Sequence, residues 1–131
     1  MPIYRKIVSN PTLIGPTDLT DMPGLSPITI QAGSSNYSFI ATLSVSGLSI
    51  PNPDVNWGAV FRIMQGSTIL GSYYLGELNG GFRPSFSFSA VGDACSAGIT
   101  EDIHVKWQTY GTPVKIIEPT SFSILYDDRL N

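Results

Sequence analysis

Residues 37–46 read YSFIATLSVS, with Tyr37, Phe39, Ala41, Leu43 and Val45 at alternate positions and Ser38, Thr42, Ser44 and Ser46 largely between them. Successive side chains of a strand point to opposite faces, so this spacing describes a half-buried antiparallel strand. The rhythm returns in residues 83–91, where Phe86, Phe88 and Ala90 alternate with serines. It returns again where Ile103, Val105 and Trp107 alternate with His104, Lys106 and Gln108, and in Phe122, Ile124 and Tyr126. Shorter strands are expected at 28–31 and 114–117. Gln65-Gly66-Ser67 and Asn79-Gly80-Gly81 are turn signals, and no stretch carries a convincing 3.6-residue period. About eight strands result, so the expected fold class is all-β, an antiparallel jelly-roll or β-sandwich.

Residues 1–27 read differently. Pro2, Pro11, Pro16, Pro23 and Pro27 recur with Gly15 and Gly24 and prevent a regular helix. Ile3, Tyr4, Ile7 and Val8 could form a short strand, while Leu13, Ile14, Leu19, Met22 and Leu25 have no local core to enter. The expectation is an extended N-terminal arm, 1–27, laid on a neighbouring molecule, followed by a jelly-roll domain, 28–131. Ile3, Tyr4, Ile7, Leu13 and Ile14 are its expected anchors, and a frayed terminus is the bland alternative. Trp57–Gln65 (WGAVFRIMQ) and residues 68–75 are apolar on both faces, which a monomeric sandwich does not require. A second subunit would cover the extra face, with Phe61, Tyr73 and Tyr74 at the interface. The competing explanation is burial of these strands within their own domain.

The 131 residues suit one core, and 42% hydrophobic with 11% aromatic content argues against disorder. Charged residues make up only 13%, against about 25% in an average soluble domain, so much of the surface is uncharged and an assembly component is favoured. A net charge of −3 makes nucleic acid a poor partner. The single Cys95 cannot form an internal bridge, and no Cys/His spacing matches a zinc site. Neither a signal-peptide core nor a run near the ~20 apolar residues of a membrane span is found, so cytosolic synthesis without a membrane partner is expected.

Chemistry is sparse. His104, the one histidine, lies on the polar face of a strand beside Lys106 and reads as surface decoration. Cys95 has no neighbouring basic residue in sequence to activate it. Glu101-Asp102 and Asp127-Asp128 lack the ligand-rich loop of a calcium site. Trp57 and Trp107 alternate in phase with core residues, which favours burial over a sugar-stacking platform. No catalytic residue, metal ligand or cofactor is expected, and the protein is read as a non-enzyme.

The segments VFRIMQGSTILGSYYLGE, RPSFSFSAV, HVKWQTYGTPVKII and SFSILYDD are similar to small jelly-roll virion proteins of tailed phages, including tail-fibre heads and capsid decoration proteins. The likeness covers roughly residues 28 to 128 and extends distantly to the tumour necrosis factor and complement globular-head families. It implies a homotrimer assembled in the host cytoplasm and bound to the virion. A short arm in place of a long shaft favours a decoration or cement protein contacting the major capsid protein or another virion protein. The alternative is a tail head that reads a host glycan through residues 51–56 or 76–83.

Overall fold

The computed structural model describes residues 3–8, 13–14, 18–31, 36–49, 56–78, 85–92, 95–111, 114–116 and 119–127. Among these there is no helix. The described residues form twelve strands: β1 Ile3–Val8, β2 Leu13–Ile14, β3 Thr20–Asp21, β4 Ile28–Ile30, β5 Ser38–Val45, β6 Leu48–Ser49, β7 Trp57–Gln65, β8 Thr68–Leu78, β9 Phe86–Val91, β10 Glu101–Tyr110, β11 Lys115–Ile116 and β12 Thr120–Asp127. The front sheet has the order β1-β12-β5-β9 and the back sheet β3-β10-β7-β8, with β4 also paired to β10. Every pairing is antiparallel.

Because β3 meets Lys106 and Trp107 while β4 meets residues 101–103, the two act as one interrupted strand along β10. Counting them as one leaves eight main strands, with the first paired to the eighth, the second to the seventh, the third to the sixth and the fourth to the fifth. That is a long hairpin, tipped by the β7–β8 turn and wrapped into two sheets, which is the winding of a jelly roll. Its crossovers are tied at both ends. At one end β2, β11 and β6, each within a connection between the sheets, form a small third sheet. At the other, Tyr37 and Cys95 exchange backbone hydrogen bonds of 3.0 and 2.8 Å.

The core follows from the two-residue rhythm. Phe39, Ala41, Leu43, Val45, Phe122 and Ile124 of the front sheet face Trp57, Phe61, Ile63, Ile103, Val105 and Trp107 of the back sheet. Phe61 packs on Phe86 at 4.8 Å and on Trp107 at 6.0 Å between ring centroids. Close packing leaves little slack: a Cβ on Gly92 would fall inside the ring of Phe39. Gly66, at φ 58°, makes the turn between β7 and β8.

Two expectations change. The described part of residues 1–27 does not stand off from the domain. β1 pairs with β12 over six residues, from Ile3 opposite Leu125 to Val8 opposite Thr120. Met22 and Leu25, in the turn between β3 and β4, are fully buried in the core. An edge strand cannot be told from a free arm by its own residues, because the partner lies more than 100 residues away. Phe61 is corrected as well. β7 lies between β8 and β10, and Phe61 is fully buried in its own domain, so it is not available to a second subunit.

Candidate functional site

The sequence's chemical candidates are placed as follows. His104 Nδ1 lies 3.1 Å from Asp21 Oδ1 on the outer side of the back sheet. Ser26 Oγ donates to the same Asp21 oxygen at 3.5 Å and accepts from the Val105 amide at 3.0 Å. The serine is bound to the carboxylate, whereas a Ser-His-Asp hydrolase needs its serine on the imidazole, so this trio lacks the nucleophile–base contact. Cys95 is a buried thiol that accepts a 3.3 Å hydrogen bond from Gln65 Nε2. Burial pushes the neighbouring Tyr37 phenol well above its ordinary 10.0, with the contact to Cys95 adding to the shift. Its hydroxyl donates to the Ile99 carbonyl at 2.7 Å. Among the described residues no three His, Cys, Asp or Glu side chains gather into a possible metal site.

Surfaces are more informative than chemistry. On the outer side of β12, β5 and β9 the register sets three rows: Ser121, Ser44 and Ser87; Ser123, Thr42 and Ser89; Leu125, Ile40 and Val91. None of these nine residues is charged. Thr42 Oγ1 lies 2.8 Å from Ser89 Oγ, and Ser44 Oγ lies 3.1 Å from Ser87 Oγ, so these hydroxyls bond across the strands. Ile40 is 45% exposed and Val91 68% exposed, side by side in the third row. Ile7 of β1, also exposed, borders a hollow of about 220 Å³ beside Ser44 and Ser121. The outer side of the back sheet differs, because Arg62 and Lys106 share a register row there and His104 meets Asp21.

The back sheet also carries a cleft of about 420 Å³, where β7 begins and β10 ends. Tyr74 and Tyr110 line it with Gly58, Gly76, Asn56 and Trp57 among others. Gly58 stands opposite Tyr110 in the ladder and at a register shift between β7 and β8, so the strand has no side chain where the tyrosines would otherwise meet one. Tyr74 is 63% exposed and Tyr110 48% exposed. Tyr74 Oη accepts a long, 3.4 Å bond from Arg62 Nη2, and Tyr110 Oη donates to Gln108 Oε1 at 3.2 Å. Gly111, at φ 86°, closes one end against Asn56, whose carbonyl oxygen a Cβ there would strike.

The expected interface residues separate. Tyr73 is turned to the core side, stacked on Phe86 at 4.4 Å, while Tyr74 is on the outer face. Of the expected anchors, Ile7 is exposed beside the front sheet. Ile3 and Tyr4 are placed in β1, and Leu13 and Ile14 pair with Ile116 and Lys115, but the side chains of these four lie outside the described residues. Ile40, Val91 and Tyr110 were missed as surface residues. The signal was present in Ile40, an isoleucine at an otherwise polar position of the alternation.

No family model and no curated protein sequence matches the chain. Among solved structures it is similar to the CBM36-1 domain of a multidomain xylanase from the hindgut metagenome of Trinervitermes trinervoides, at 14% identity over 91% of this chain and 96% of that one, with a TM-score of 0.41. It is also similar to the VP2 protein of infectious bursal disease virus, at 12% identity over 94% of this chain and 35% of that chain, with a TM-score of 0.31. A second VP2 structure, a subviral particle, gives 11% identity, 97% and 37% coverage and a TM-score of 0.31. The chain thus spans about a third of VP2. With TM-scores below 0.5, neither likeness carries a conclusion about what this chain binds.

Proposed function

We propose that this chain is a non-enzymatic structural subunit of a phage virion, a jelly roll that associates with copies of itself and, as a decoration or cement protein, binds the outside of the capsid. One observation supports the association: the nine outward positions of β12, β5 and β9 carry no charge, with Arg5 of β1 continuing the middle row at the sheet's edge and Asp127 opposite Ser38 beyond the third, and four of the nine positions' hydroxyls are paired across the strands. Covering these nine positions removes no ion from water and strands few polar groups, while it buries Ile40, Val91 and Leu125. A trimer is the expected assembly. The virion setting rests on the resemblance of the strand-and-turn pattern to small phage jelly rolls.

Binding to the assembled shell alone stabilises it by mass action, as RT ln(1 + [L]/Kd). Electron microscopy of labelled protein on particles of the encoding virus tests the setting. A shell-wide lattice is expected, whereas absence from the particle would remove the virion reading. A label confined to one vertex would favour the second reading, a receptor-binding head at the tail. That reading is supported by the tyrosine-lined cleft, to which Asn56 and Gly76 contribute, one from each of the two segments expected to read a glycan, Gly76 from within β8.

A further inference from the structure

We infer that the free edge of β9 is a strand-pairing site for an extended, uncharged segment of a partner protein, which adds a further strand to the front sheet. β9 is the outermost strand of that sheet and pairs only with β5. Gly92 donates to the Phe39 carbonyl at 2.9 Å, and bonded pairs alternate with unbonded ones along an antiparallel ladder. Ala90, Phe88 and Phe86 therefore turn their N–H and C=O groups towards β5, whereas Val91, Ser89 and Ser87 turn theirs outward. These outward residues are all exposed, and none of their backbone groups is bonded among the described residues. Only a polypeptide in the extended conformation offers donors and acceptors at the repeat of such an edge.

Sheet edges are commonly guarded by charge or by proline. The opposite edge of the same sheet, β1, carries Arg5 and Lys6, while β9 (FSFSAV) has neither charge nor proline. The inner side of β9 is also unfinished. Phe86 and Phe88 point inward yet are only partly buried, stacked on the partly buried Tyr73 of β8 at 4.4 and 5.7 Å. β8 is an edge of the back sheet, so these rings close the side of the sandwich where both sheets end. A strand laid beside β9 sets alternate side chains against the rings and the others level with Ser87, Ser89 and Val91. Apolar residues suit the first set and uncharged polar residues the second. The β9 of another copy suits the edge less well, because its own Phe86 and Phe88 are already packed on its own core and cannot be laid on these rings. Face-to-face contact of copies through the outer rows leaves the edge open sideways, so the site does not depend on that association.

The test is titration of the isotopically labelled full chain with a capped hexapeptide of alternating valine and threonine, followed by amide NMR. Saturable shifts at Ser87, Ser89 and Val91 are expected, with hydrogen exchange of these amides slowed at least about tenfold at saturation. Residues opposite one another in a ladder share a face, so threonines level with Ser89 also aim their N–H groups at β9. N-methylation of the threonines should therefore weaken binding at least about tenfold, whereas N-methylation of the valines should leave it within about twofold. Ser89→Pro removes an outward donor at a position where an edge strand tolerates proline. It should weaken binding as much, with circular dichroism and sedimentation unchanged. The inference is overturned if millimolar peptide leaves the β9 amides unmoved, if both methylated peptides bind alike, or if the shifts lie on another edge. A fall in sedimenting mass on Ser89→Pro overturns it too, because a second copy would then hold the edge.

Discussion

At the scale of single residues, closeness of packing and buried polar groups set the sharpest expectations. Gly92 lies against the Phe39 ring, and any added Cβ must displace that ring. Gly92→Ala is expected to cost about 1–3 kcal/mol in urea unfolding, the usual cost of an overfilled core. Unchanged stability would mean that Phe39 has room to move. Tyr37 adds a pH dependence. Burial raises its phenol above the ordinary 10.0, so the folded state holds the proton more tightly than the unfolded chain. Its contribution is therefore complete below pH 10 and is lost as pH rises beyond that value. Tyr37→Phe should cost about 1 kcal/mol at neutral pH, for the bond to Ile99, and should flatten the decline of stability above pH 10. An equally steep alkaline decline in the variant would assign it to other tyrosines.

At the scale of elements, β7 and β8 separate what holds the fold from what it offers. Phe61→Ala is expected to destabilise by roughly 3–5 kcal/mol, because Phe61 is fully buried against Phe86 and Trp107. Tyr74→Ala, on the outer face of the adjoining strand, should stay within about 0.5 kcal/mol. Thermal melts of the two variants check this, and equal losses would contradict the placement of Tyr74. Removing residues 1–8 deletes β1 and uncovers the edge of β12, so a lower melting temperature and aggregation are expected. Light scattering during the melt reads both, and loss of capsid binding in such a truncation would not by itself identify an arm. Local rhythm made β5, β9, β10 and β12 legible in the sequence, because each buries one face and the alternation is enough to say which. Partners more than 100 residues away made β1 illegible as a sheet strand. The double-sided apolar pattern of β7 is shared by a central strand and an interface strand, and only the positions of β8 and β10 distinguish them. The cleft was illegible for a related reason: it forms where Gly58, Tyr110 and Gly76 meet across three strands.

For the whole molecule, the two outer sheet faces are chemically unlike. Arg62, Lys106, His104 and Asp21 share the back sheet with the tyrosine cleft, while the three rows across β12, β5 and β9 of the front sheet hold only Ser, Thr, Leu, Ile and Val, and Arg5 joins the middle row from β1 at the edge. An uncharged patch on β12, β5 and β9 leaves the charged, cleft-bearing side for other partners when copies associate. A positive charge in the third row should repel its own copies while remaining hydrated in the monomer, so it changes association and not folding. Sedimentation equilibrium of the native chain and of the Ile40→Lys/Val91→Lys double variant is the most direct measurement. The native chain should sediment as an oligomer and the variant as a folded monomer; a monomeric native chain, or a variant that keeps the native mass, would contradict assembly through this face.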